Sequence, residues 1–160
     1  MRVQKIVTSL WFDDQAEEAA NYYCSIFPDS RVTKVTHYGS AGPRPEGMVL
    51  TVDFQLHGQD FNAINGGPEF KFDEAISLVV NCESQAEVDE LWDKLTADGG
   101  EPGPCGWLKD RYGLSWQIVP TAMQEMLDHP DTEKSQRAMA AMLKMGKLDI
   151  AELRRAFEAA

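Results

Sequence analysis

Cysteine is scarce in this chain, with three among 160 residues, and Cys24, Cys82 and Cys105 form no CxxC pair. Their odd number and wide spacing exclude a disulfide framework and point to reduced thiols in the cytoplasm. Histidine is equally scarce. His37 reads as a strand residue, His57 as part of a tight turn and His129 as the residue before a proline, so none reads as a metal ligand. Basic residues are outnumbered, 15 Lys and Arg against 26 Asp and Glu, for a net charge of −11. Phosphate-rich partners need clustered Lys and Arg, so nucleic acid and anionic membrane surfaces are excluded as partners. No apolar run approaches the roughly 20 residues of a membrane span. The first segment, MRVQKIVTSLWFDDQ, has too short an apolar stretch for a signal peptide and soon meets two aspartates.

What is present is an ordinary globular composition, 43% hydrophobic and 26% charged. Residues 3–12 read as a strand. A helix follows, with Asp14 as the expected cap and Ala16, Ala20, Tyr23 and Phe27 at helical spacing. Residues 31–38, 48–56 and 59–65 read as strands, the last two joined at His57-Gly58, and Asn65-Gly66-Gly67-Pro68 is a turn. The pattern then restarts. Residues 75–82 read as a strand, and Ser84 with Glu87 forms a capping box before a helix striped by Val88, Leu91, Trp92 and Leu95. Short strands are expected at 101–102, 106–110 and 114–119.

The strand-to-helix junctions carry the same tripeptide, Gln15-Ala16-Glu17 and Gln85-Ala86-Glu87, at an offset of 70 residues. With the repeated order of elements, this predicts an α+β fold of tandem βαβββ modules with a C-terminal helical extension. The modules are expected at residues 1–68 and 69–120, with helices over 121–160. Within that tail, 121–127, 131–147 and 150–159 read as helices, with Pro130 at a first helical position. Met139, Met142, Leu143 and Met145 form an apolar stripe expected to pack on the core or on a second subunit.

Four segments carry a family resemblance: LWFDDQAEEAANYYCSIFPDSRV, NGGPEFKFDEAISLVVNC, CGWLKDRYGLSWQIVP (Cys105 to Pro120) and AMLKMGKLDIAELRRAFE. They resemble PhnB-like proteins, often labelled 3-demethylubiquinone-9 3-methyltransferase, of the glyoxalase, bleomycin-resistance and dioxygenase (vicinal-oxygen-chelate) superfamily. The resemblance implies paired βαβββ modules, each a curved sheet around a cavity, and a homodimer. The methyltransferase label finds no support in a Gly-rich strand-to-helix loop, since no G-x-G-x-G occurs.

Metal-dependent relatives place His or Glu on the first, fourth, fifth and last strands, where a cation acts as a Lewis acid. Here the expected cavity positions are Val7, Ser9 and Trp11, then Ala63 and Asn65, then Ala75, Ser77 and Val79, with Gln117 four residues after Gly113. An amide is a poor ligand for a transition ion. No metal and no other cofactor is therefore expected. Ser9, Trp11, Asn65, Ser77, Cys105, Trp107 and Gln117 are the candidate ligand-binding residues. An aromatic-lined site with a few amides suits a small, planar, largely apolar molecule. The alternatives are a glyoxalase-like metal-dependent isomerase or lyase, methyl transfer, and a dimeric interaction module without a ligand.

Overall fold

The computed structural model describes residues 3–159. The chain divides into two compact units, one up to Lys71 and the other from Phe72 on. The first contains β1 (Thr8–Phe12), α1 (Ala16–Ile26), β2 (Arg31–His37), β3 (Val49–Leu56) and β4 (Gln59–Asn65). Its sheet has the order β1-β4-β3-β2, with β1 parallel to β4 and the other pairs antiparallel. The second contains β5 (Ser77–Cys82), α2 (Gln85–Thr96), β6 (Glu101–Pro102), β7 (Trp107–Lys109) and β8 (Ser115–Pro120). Its sheet repeats the arrangement as β5-β8-β7-β6. The α3 (Thr121–Leu127), α4 (Thr132–Met142) and α5 (Ile150–Glu158) helices complete that unit. The mixed α+β architecture and the C-terminal helices are those expected from the sequence.

Each sheet buries one face under its own helix. Leu10, Phe12, Val52, Phe54, Phe61 and Ala63 are buried, as are Ala16, Ala19, Ala20 and Tyr23 of α1. These strand residues alternate with exposed or half-buried ones, so burial of one face fixes the register. In the second unit Leu108, Trp116 and Ile118 are buried along with Val88, Leu91, Trp92 and Leu95 of α2. A separate cluster joins the end of β8 to the C-terminal helices through Val119, Met123, Met126, Ala138, Leu148 and Leu153.

Four local expectations are corrected. The first strand begins at Thr8, not at residue 3: Gln4 uses its side chain to donate to the Ile6 carbonyl (2.7 Å) and to accept from the Asp60 amide (3.1 Å). Asp14 does not cap α1; the helix starts at Ala16, and Gln15 at its N-cap makes no side-chain capping bond. Pro130 lies outside α4, which starts at Thr132 under the carboxylate of Asp131. That helix stops at Met142 because the following backbone is used elsewhere. The carbonyls of Met145 and Gly146 accept from the amides of Cys105 and Gly106, each at 2.8 Å. Leu143, expected in the apolar stripe, is consequently exposed, while Met142 and Met145 are packed on the C-terminal cluster. The capping box of α2 is present, with the Glu87 amide donating to Ser84 Oγ at 3.1 Å.

Candidate functional site

The faces of the two sheets turned away from α1 and α2 carry most of the polar side chains the sequence singled out. On the second sheet, β8 lies between β5 and β7, and Gln117 is level with Val79 on one side and Trp107 on the other. Residues level in a sheet project to one face. Gln117 Nε2 donates to Ser77 Oγ at 2.9 Å. Ser77, Trp107 and Gln117 are thus brought together, with Val79 beside them 51% exposed. The Lys109–Glu74 ion pair completes this face. Its hydrogen bond holds the Glu74 carboxyl below the usual carboxylate range and raises the Lys109 ammonium above its own.

On the first sheet Ser9 Oγ donates to Asn62 Oδ1 at 2.9 Å, and Asn62 Nδ2 donates to Asp53 Oδ1 at 2.7 Å. Trp11 donates its indole N–H to the Gly67 carbonyl at 2.9 Å and meets Phe70 edge-on, with ring centroids 4.9 Å apart. A Cβ on Gly66 would lie 2.2 Å from the Trp11 ring, so this turn accepts no larger residue without moving the indole. Ser9 and Trp11 therefore lie on the side of the first sheet opposite α1.

Asn65 does not. It is 2% exposed and lies on the helix side of β4, where its Oδ1 accepts from the Ala16 amide (2.8 Å) and its Nδ2 donates to the Val49 carbonyl (3.0 Å). Ala63, also expected on the cavity face, is fully buried on that same side. The equivalent of Gln117 in the first unit is Asn62. Each stands three residues before the end of its strand, Asn62 level with Ser9 and Gln117 level with Val79. Asn62 and Asp53 were not among the sequence candidates. Applying the internal repeat to the last strand of each module would have found Asn62.

Cys105 lies in the loop before β7, with positive φ (56°) and its amide tied to Met145, so strand alternation does not place its thiol. Cys82 is fully buried, and burial together with the nearby Glu87 carboxylate pushes its thiol up to about 12. Iodoacetamide at pH 8 is expected to leave Cys82 unmodified in the folded protein and to label it once urea unfolds the chain. Peptide mass spectrometry reads this, and equal labelling in both states would contradict the packing.

The donor set does not suit a metal ion. On the face away from the helix, Ser9 is level with Asn62 in the first unit and Val79 with Gln117 in the second, and these offer one hydroxyl and two amides. Among the described residues no three His, Cys, Asp or Glu side chains converge. Neither does S-adenosylmethionine find a Gly-rich cradle, because the junctions into α1 and α2 read Asp13-Asp14-Gln15 and Glu83-Ser84. No helix among the described residues is long and apolar enough to cross a membrane.

Comparison with known proteins places these features in a family. A solved PhnB protein from Bacillus cereus, a putative 3-demethylubiquinone-9 3-methyltransferase, is 38% identical. The match covers 73% of this chain and 99% of that one, with a TM-score of 0.65. A protein from Pseudomonas aeruginosa is 20% identical over 74% of this chain and 98% of its own, with a TM-score of 0.59. The fosfomycin resistance protein FosX from Listeria monocytogenes, complexed with Mn(II) and sulfate, is 16% identical over 74% of this chain and 92% of its own, with a TM-score of 0.53. At such identities the last two speak for the fold alone. No curated protein matches. Residues 4–119 match the family described as 3-demethylubiquinone-9 3-methyltransferase, and the chain belongs to this PhnB-like family.

Proposed function

We propose that this protein binds a small, planar, largely apolar molecule on the face of its second sheet, without using a metal ion. One observation carries the reading: the neutral Gln117–Ser77 pair sits beside Trp107 and an exposed Val79. An aromatic side chain and an exposed aliphatic one offer contact area, while a fixed amide and hydroxyl supply orientation. The charge-free donors at this position favour a hydrogen-bonded neutral ligand over ligation of a cation. The reading includes a cytoplasmic homodimer, as the family resemblance implies. Catalysis is no part of it.

Titration with a panel of substituted arenes, followed by tryptophan fluorescence, tests binding. At least one member is expected to bind at micromolar level, and Gln117→Ala is expected to weaken it about tenfold, the loss of roughly one oriented hydrogen bond. A flat response across the panel would favour a ligand-free interaction module. Elemental analysis of purified protein tests the other half of the proposal. Stoichiometric Zn, Ni, Fe or Mn would replace it with the metal-dependent isomerase or lyase reading.

A further inference from the structure

The second sheet contains a buried polar atom that its packing leaves unmatched. Ser115 is 1% exposed, and its Oγ has no hydrogen-bond partner among the described residues. Such a hydroxyl has given up water and gained nothing in return. It does not belong to the α2 side. Ser115 is level with Ser77 on β5 and with Lys109 on β7, so it shares the face of the Gln117–Ser77 bond. Trp116, the next residue along, is buried on the opposite side.

An ion pair crosses the strand at this point. Glu74 lies in the turn leading into β5, Lys109 ends β7, and β8 runs between those strands. The contact between Lys109 and Glu74 therefore spans the start of β8, where Ser115 is the first residue. Their side chains are 38% and 60% exposed. Pairs exposed to this degree hold weakly and are screened by salt. Such a strap opens at little cost.

We infer that the Lys109–Glu74 pair straps over a polar recognition point, and that Ser115 selects ligands bearing a phenolic hydroxyl or a carbonyl on their apolar ring. The inference rests on the reading of this face as the binding surface. A serine hydroxyl both donates and accepts, so it serves either oxygen type. An anionic substituent is disfavoured, because Glu74, Asp73 and Glu101 all act on Lys109 and make the surroundings acidic.

Calorimetric titration of the full chain with naphthalene and with 1-naphthol tests the selection. The wild type is expected to bind 1-naphthol about tenfold more tightly than naphthalene. Ser115→Ala is expected to bind naphthalene unchanged, to lose the preference, and to melt no lower than the wild type, since an unmatched buried hydroxyl is removed. A Ser115→Ala protein that keeps the preference, or melts lower, overturns the inference while leaving arene binding intact. Failure of both probes to bind the wild type overturns the inference together with the reading beneath it. The strap has its own readout. In stopped flow, Lys109→Met or a rise in NaCl from about 50 to about 500 mM is expected to speed 1-naphthol association several-fold. Unchanged association under both treatments removes the strap.

Discussion

Replacing Asp110 by Ala is expected to lower the unfolding free energy by about 3 kcal/mol, the largest effect of any single polar substitution considered for this protein. Asp110 is 2% exposed at the tip of the β7–β8 hairpin. Its Oδ1 accepts from the amides of Tyr112 (2.9 Å) and Leu114 (3.1 Å), and its Oδ2 accepts from the Trp116 indole N–H at 2.9 Å. The backbone closes the same turn, with the Asp110 amide donating to the Leu114 carbonyl at 2.9 Å. Alanine would strand the Leu114 amide and the indole N–H, both in buried surroundings, and each stranded donor costs roughly 1–3 kcal/mol. For a chain of this size the loss corresponds to a fall of roughly 6–12 °C in Tm. Asp110→Asn keeps an acceptor for the turn amides but turns an NH2 toward the indole, so it should lose about half as much. The hairpin also holds Lys109 and Ser115 level with each other, so Asp110→Ala should weaken arene binding as well. Thermal and urea unfolding read the first effect. Wild-type stability in the Ala variant would show that the hairpin does not depend on this carboxylate.

Elements whose determinants are local in sequence were legible before any coordinates. Helix α3 spans Thr121–Leu127 as read, and α2 carries its Ser84 capping box, because both signals lie within a few residues of the element they start. Period-two burial gave β3 and β4 to within a residue, since each buries a continuous apolar face. What escaped the sequence reading depended on partners far along the chain. The end of α4 is set by hydrogen bonds to the backbone of Cys105 and Gly106. Residues 3–7 look like a strand, but Gln4 engages the Asp60 backbone with its side chain. The candidate site shows the same division. Ser77 was read from the face of its strand, Gln117 from its place four residues after Gly113 and Trp107 from its place after Cys105-Gly106, and the three lie on one face. Asn65 was misplaced together with Ala63, because the facing of β4 was read one residue out of step. The true role of Asn65 is a contact to an amide 49 residues away, which leaves no local trace.

Asn65→Ala is accordingly expected to cost about 2 kcal/mol in stability, although nothing about residue 65 marks it as a cap in the sequence. Helix α1 starts without help from Gln15, so the Ala16 amide depends on Asn65 Oδ1. The same amide group donates to the Val49 carbonyl and so joins the helix start to the start of β3. One truncation removes both bonds, the cap in a buried setting and the Val49 bond in a half-buried one, and the cap loss adds to the cost of the stranded carbonyl. The Asn65 carbonyl, which accepts from the Tyr38 hydroxyl at 2.6 Å, is retained in the variant and anchors the strand end. Asn62 supplies the contrast, three residues earlier on the same strand and on the opposite face. Its bonds go to the exposed Ser9 and to the half-buried Asp53, where water can replace a lost partner. Asn62→Ala should therefore cost less than about 1 kcal/mol. Urea unfolding of the two variants in parallel decides the matter. Equal losses would mean that β4 does not separate a helix-capping face from an open one, and the assignment of Asn62 as the counterpart of Gln117 would fall with it.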